Sequence, residues 1–274
     1  MRTIRIAIVG AGVWGDTHAA IYREHPLAEP VAICDRDVDR ARALADKYGI
    51  PSVYGSVEEM LEAGGFDAVS IVTPDHLHAD IAVACAAAGK PWVLDPVGIG
   101  IGSLRTKLLS QMKEFKPTII RGNASEAIAL AELWGLEAGT AAEVRGVDST
   151  QGVDEAHAAA VALARFTGGA VAVSGEVDLV TDGEVVCHSR GGSHFMAKIT
   201  GSGCSLGGVC AVFAATAETP LAAALAGVQA YNLAGARAEA RVDAPASFQT
   251  AFLDELYKAT PHDIANNPFD IEEA

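Results

Sequence analysis

Residues Ile4 to Val9 form a short apolar run, broken only by Arg5, that leads straight into Gly10-Ala11-Gly12-Val13-Trp14-Gly15. The run reads as a buried strand and the glycines as the tight turn after it. Asp16 to His25 reads as a helix that Pro26 stops, and Val31-Ala32-Ile33-Cys34 reads as the next strand. This order admits few folds, because a strand, turn, helix and parallel strand must lie on a doubly wound sheet. Gly10 allows the turn, Gly12 lets backbone approach a pyrophosphate, and Gly15 lets the helix pack on the strand. The helix N-terminus offers amides to a phosphate. Asp35 follows the second strand, twenty residues after Gly15, where it can accept from a ribose 2′-hydroxyl and repel a 2′-phosphate. NAD is therefore expected over NADP.

Half of the 274 residues are hydrophobic and only 6% are aromatic, which suits small side chains packing helices on a parallel sheet. The net charge of -15 sets the chain against nucleic acid and anionic lipid and leaves a small molecule as the expected partner. The cysteines (Cys34, Cys85, Cys187, Cys204, Cys210) are odd in number and scattered, so a reducing cytoplasm is expected and a disulfide framework or zinc site is not. The residues after Met1 enter a strand without a signal-peptide pattern, and no apolar run is long enough for a membrane span.

The pattern continues with a helix from Arg36 to Tyr48, a short helix from Val57 to Ala63, a strand from Asp67 to Val72 and a helix from Ala79 to Ala88. Residues 1–94 resemble the NAD(P)-binding domain of the glucose–fructose oxidoreductase and inositol dehydrogenase family. The matches are Ile8 to Gly15, Cys34-Asp35, Thr73-Pro74 with His78, and Ala88-Gly89-Lys90. In that family the next strand ends in Glu-Lys-Pro, and its lysine contacts the reacting centre. Here the strand Pro91 to Leu94 runs into Asp95-Pro96. The resemblance thus implies cofactor binding without support for hydride transfer, and His76 and His78 are expected as exposed histidines at a helix start.

After Asp95 the pattern changes. Asp95-Pro96-Val97-Gly98-Ile99-Gly100 is a strand-end acid followed by a flexible loop, and Ser103 to Phe115 is a helix. Pro117 to Ile120 is a strand leading to Arg121-Gly122 and a polar cluster of Asn123, Ser125 and Glu126 at a helix start. Ala156 to Phe166 is a helix, and Ala170 to Val173 is a strand into Ser174. Asp182-Gly183 predicts a two-residue hairpin turn of type I′. Thr200-Gly201-Ser202-Gly203-Cys204 opens a long apolar helix whose N-terminal amides attract an anion. Such a position stabilises a thiolate, so Cys204 can accept a proton from an attacking hydroxyl; Cys210, in mid-helix, is expected in the core. Pro220 to Ala240 is expected to serve packing alone, and residues 259–274 to form a flexible acidic tail.

Residues 89–258 resemble hydroxyethylthiazole kinase, a ribokinase-like family. The matches are Asp95-Pro96-Val97-Gly98 with Arg105, Arg121 to Glu126, and Gly146-Val147-Asp148-Ser149. Ser174 to Asp178, Thr200 to Cys204, and Ser247-Phe248-Gln249 with Ala251 to Asp254 continue the series. The resemblance implies that Arg121 and Ser174 bind ATP phosphates and that Asp95 and Glu126 hold Mg²⁺ through water. It further implies that Gly201 to Cys204 form the anion hole and that Cys204 occupies the base position. Ile101 and Gly102 stand where the family has Ala-Thr. The family's own N-terminal part, which contributes to the acceptor pocket and to a trimer interface, is replaced, so a homo-oligomer is one expectation among others.

The fold class expected is α/β with a doubly wound, mostly parallel sheet. A Rossmann-like segment (1–94) joins a ribokinase-like one (95–258), and the two can share one sheet. Three functions follow: a kinase using Mg-ATP on a small alcohol, an NAD-binding module, and a scaffold without turnover.

Overall fold

The computed structural model describes residues 3–100, 102–137 and 149–274. Ile101 and Gly146 to Asp148 lie outside the described residues. The chain divides into two compact units, Met1–Lys90 and Pro91–Ala274.

The first unit runs β1 (Ile4–Val9), α1 (Val13–Glu24), β2 (Ala28–Cys34), α2 (Val38–Tyr48), β3 (Ser52–Tyr54), α3 (Val57–Ala63), β4 (Ala68–Ile71) and α4 (His78–Ala87). Its strands pair in parallel in the order β3-β2-β1-β4. Alternation along the strands serves two cores. Ile8 and Ile33 pack with Ala19, Leu44 and Ala45 of α1 and α2. Ala7, Val9, Ala32 and Cys34 pack with Met60 of α3 on the other face. Local chemistry sets the helix ends: Asp37 and Ser56 cap α2 and α3, and Gly49 closes α2 in the left-handed region.

The second unit runs β5 (Val93–Leu94), α5 (Ser103–Met112), β6 (Ile119–Asn123), α6 (Ala124–Leu133), α7 (Ser149–Thr167), β7 (Ala170–Ser174), β8 (Val177–Thr181) and β9 (Val185–Arg190). It continues with α8 (Ser202–Ala214), α9 (Pro220–Glu239), α10 (Pro245–Lys258), α11 (Pro261–Ala265) and β10 (Phe269–Glu273). The sheet order is β10-β9-β8-β7-β6-β5, parallel from β5 to β7 and antiparallel beyond. Ile119, Ala170, Ala172 and Val180 face α8, α9 and α10, with Leu206, Cys210, Tyr231 and Phe248 buried among them. Ile120, Val171 and Val173 face the opposite core of Leu109, Leu130, Trp134 and Leu163.

Four expectations change. The strands form two sheets, not one continuous sheet, and β5 pairs with β6 in the second unit. The hairpin is not type I′, which needs positive φ at both central residues: only Gly183 has it, and Thr181 pairs with Val186 across a longer turn. The Asp182 side chain builds that turn by accepting from the Glu184 and Val185 amides. The C-terminal segment is not a flexible tail. Thr260 and Asp263 form a capping box for α11, and alternating Phe269 and Ile271 belong to a strand paired with β9. His78 is half-buried, with its Nε2 2.6 Å from the Thr73 carbonyl oxygen, whereas His76 is exposed.

Candidate functional site

Strands β5, β6 and β7 lie side by side and parallel, so their carboxyl ends open on one crevice, where α/β sheets place ligands. Asp95 follows β5, Arg121 lies in β6, and Ser174 ends β7. The two-residue period puts Arg121 on the face of Ile119, the face packed against α8. There the guanidinium is buried. Its Nη1 donates to Asp95 Oδ2 at 3.0 Å and its Nη2 to Ser174 Oγ at 3.3 Å. A Cβ placed on Gly203 would stand 3.1 Å from Arg121 Nη2. The cation therefore lies against the first turn of α8, and a side chain at Gly203 would press on it.

Helix α8 begins after Gly201, and no side chain caps it. Ser202, Gly203 and Cys204 are thus presented by their backbone amides, with the helix dipole and a guanidinium at the same place. The Ser202 hydroxyl turns away and donates to the Met196 carbonyl at 2.7 Å. Thr200 and Cys204 are exposed. Tyr231 of α9 donates to Ser205 Oγ, which in turn donates to the Gly201 carbonyl, so the turn is braced from below.

Burial pushes the Asp95 carboxyl above its ordinary range; Arg121 draws it back down, and the nearby charge of Glu126 pushes it up. Asp95 Oδ1 and Arg121 Nε are buried with no well-aligned partner. Glu126 and Asn123 cap α6 reciprocally: the Asn123 amide donates to Glu126 Oε2 at 2.8 Å and the Glu126 amide to Asn123 Oδ1 at 2.9 Å. Ser125 Oγ donates to the same Asn123 oxygen, so the Asn123 side chain is committed to the helix start. Among the described residues no three His, Cys, Asp or Glu side chains form a metal cage. Two oxygen donors, one with a buried atom that lacks a well-aligned partner, suit a hard cation that keeps most of its water.

Asp178 and Asn232 went unnoticed as site residues. Asp178 Oδ1 accepts from the Gly175 amide next to Ser174 at 2.9 Å, and Asp178 Oδ2 accepts from Asn232 Nδ2 at 2.9 Å. Helix α9 thus does more than pack. No local signal reveals this, since the partners are 54 residues apart.

The other predicted residues occupy the first unit, where all but Gly15 line a cleft of about 590 Å³. Gly10, Gly12, Asp35, Arg36, Arg40 and Thr73 are among the lining residues. Gly10 has φ 112, and its amide donates to the Cys34 carbonyl at 2.8 Å. A Cβ on Gly15 would lie 2.0 Å from the Gly10 carbonyl oxygen, so α1 can sit on the turn only with glycine there. A Cβ on Gly12 would meet nothing within 4 Å, which leaves its backbone open to a ligand. Asp35 is already engaged: Oδ2 accepts from the Ala11 amide at 2.7 Å, and Oδ1 from the Asp37 amide and Arg40 Nη2, each at 2.9 Å. Burial opposes its charge, yet these donors outweigh it and hold its carboxyl below the ordinary range.

Comparison with known proteins matches both units. Residues 4–95 match the model of the oxidoreductase family with an NAD-binding Rossmann fold. Residues 69–262 match the model of the hydroxyethylthiazole kinase family. A hydroxyethylthiazole kinase of Bifidobacterium animalis subsp. lactis is 49% identical over 191 residues, 66% of this chain and 63% of that protein. The chain thus spans less than two thirds of that relative. One of Kineococcus radiotolerans is 39% identical over 246 residues, 87% of this chain and 86% of its own length. The structure of the Pyrococcus horikoshii OT3 hydroxyethylthiazole kinase shares the fold, with a TM-score of 0.65 and 23% identity across 99% of this chain and 94% of that one. Among the described residues no helix is long and apolar enough to cross a membrane. With the family model matching well over half of its length, this chain belongs to the hydroxyethylthiazole kinase family.

Proposed function

We propose that this chain is an ATP-dependent kinase that phosphorylates the hydroxyl of a small alcohol of the hydroxyethylthiazole type. One observation carries the reading: a buried guanidinium, held by Asp95 and Ser174, lies against the uncapped N-terminus of α8. Phosphoryl transfer asks a protein mainly for positioning and for neutralisation of developing charge. Arg121 and the Gly201 to Cys204 turn supply both. Arg121 and Ser174 bind the phosphates of the donor, and the α8 amides meet the transferring group. The acceptor oxygen bonds to the terminal phosphorus as the bond to the bridging oxygen breaks, and ADP leaves. Cys204, exposed in the first turn of α8, accepts the hydroxyl proton when its thiol is ionised. Asp95 and Glu126 would hold Mg²⁺, which would supply charge to offset that of the phosphates. The test is ADP release by pure protein given Mg-ATP and hydroxyethylthiazole. Neither alcohol phosphorylation nor ATP hydrolysis in that assay means the reading is wrong.

A second reading concerns the first unit. The open backbone at Gly12, at the mouth of a cleft that holds Asp35, favours a dinucleotide there. Arg40 neutralises Asp35 and lines the cleft with Arg36, which offsets the expected rejection of a 2′-phosphate. NAD and NADP should therefore bind within about tenfold of each other by calorimetry. Heat signals absent for both would remove this reading.

A further inference from the structure

A chain of buried polar groups runs from the turn beside Ser174 to the C-terminal segment of the protein. The Gly175 amide donates to Asp178 Oδ1 at 2.9 Å. Asn232 of α9 spends both Nδ2 protons, one on Asp178 Oδ2 at 2.9 Å and one on Ser189 Oγ at 2.8 Å. The Ser189 hydroxyl donates onward to Gln229 Oε1 at 2.7 Å. Gln229 Nε2 donates to the Asn267 carbonyl at 2.8 Å, and Asn267 Nδ2 returns a bond to Gln229 Oε1 at 2.7 Å. Ser189, Gln229 and Asn232 are 1%, 3% and 5% exposed. So many polar atoms in a core are tolerated only when each is satisfied, and a satisfied network defines one arrangement.

The network ends at the phosphate site. Asp178 is half-buried, and the charge of Arg121 acts on it. Arg121 in turn donates to Ser174, the residue before the turn that Asp178 holds. The Ser174-Gly175 backbone is therefore fixed from one side by β7 and from the other by Asp178. Asn232 fixes Asp178, because its two donors and the Asp178 carboxylate match in polarity. Without that hold, the exposed turn at Gly175 and Glu176 has no other side-chain anchor among the described residues.

We propose that Asp178 and Asn232 are positioning residues for the phosphoryl donor, acting by fixing the turn that presents Ser174 to the donor phosphates. This rests on the kinase reading above. Neither residue touches the reacting atoms; both act through the turn. A displacement of about 1 Å at a reacting centre can cost about a hundredfold in rate, so the effect is readable.

The test uses the full chain and the non-hydrolysable analogue AMP-PCP with Mg²⁺, followed by calorimetry and by steady-state kinetics. Asp178→Asn sets an amide donor against either the Asn232 or the Gly175 donor, and the exchange Asp178→Asn with Asn232→Asp restores the polarity between the two residues, with the Ser189 hydroxyl turning from Gln229 to donate to the carboxylate now at position 232. The single variant should weaken AMP-PCP binding and raise KM for ATP at least tenfold, with KM for the alcohol unchanged. The exchange should recover most of that loss. Binding by Asp178→Asn equal to that of the unaltered chain, or an exchange variant no better than the single one, overturns the proposal. Should a variant fail to fold, hydrogen exchange on the unaltered chain decides. The exposed Gly175 amide should be protected at least a hundredfold, and free exchange there refutes the hold. If the unaltered chain binds no AMP-PCP while the Gly175 amide is protected, the kinase reading fails and takes the positioning role with it, although the hold itself stands.

Discussion

Replacing Arg121 by Met tests the electrostatics of the site. The Arg121 side chain is 9% exposed and that of Asp95 is 19% exposed. Removing one member of such a pair leaves an uncompensated carboxylate, which costs about 3–5 kcal/mol. In a domain of this size that corresponds to a drop of roughly 6–20 °C in Tm. Adding Asp95→Asn removes the stranded charge, so the double variant should recover about 2 kcal/mol of the loss. The pH dependence has a definite sign. Burial already raises the Asp95 carboxyl in the folded chain, and Arg121 pulls it down. With Arg121 gone it rises further, so the neutral acid is tolerated at low pH and the ionised form is penalised. The deficit of Arg121→Met should be small below the unfolded Asp value of about 3.9. It should grow as pH rises through the elevated folded value. Urea unfolding followed by tryptophan fluorescence from about pH 3 to about pH 8 measures this. Trp134 is buried in the second unit, and Trp14 of the first is already 67% exposed. A double variant no more stable than the single one, or a deficit that shrinks toward neutral pH, would refute the reasoning.

Gly15→Ala would place a methyl 2.0 Å from the Gly10 carbonyl oxygen. It should destabilise the first unit by about 1–3 kcal/mol or more and abolish dinucleotide binding, read by circular dichroism melts and calorimetry. The Asp35 carboxyl is held low when folded, so its stabilisation is present above the unfolded value of about 3.9 and lost as pH falls through the folded one. Asp35→Asn should therefore flatten the acid limb of an acid titration followed by circular dichroism. Asn123→Ala removes the α6 cap and should cost about 1 kcal/mol in urea unfolding, whereas Asn123→Asp should hold the cap.

What was legible in the chain was local chemistry. The glycine turn, the strand before it and the helix after it are carried by neighbouring residues, and so are the helix starts at Asp37 and Ser56 and the stop at Gly49. Asp95, Arg121, Ser174 and Gly203 stand at strand ends or a helix start, but it is the resemblance to hydroxyethylthiazole kinase that implies a role for each. Their pairing was not legible, since the Asp95–Arg121 bond spans 26 residues and the Arg121–Ser174 bond spans 53. The partners of Asp35 were not legible either, since the Ala11 amide that donates to its carboxylate comes from another turn 24 residues away. The C-terminal segment looked disordered because it is polar and acidic. Its order comes from pairing with β9 and from Asn267 meeting Gln229, neither of which has a local trace.

The lateness of strand β10 bears on how the protein is made. His188 of β9 and Glu272 of β10 meet although 84 residues separate them, so the edge of the second sheet cannot close until residues 269–273 have left the ribosome. The first unit is complete in Met1–Lys90 and has all its strand partners by then. Translation at about 5–20 residues per second leaves it several seconds or more to fold before β10 emerges. From the emergence of β9 until that of β10, β9 presents an unpaired edge, the kind of surface on which nascent chains associate wrongly. Slow synthesis or a crowded polysome should therefore trouble the second unit and spare the first.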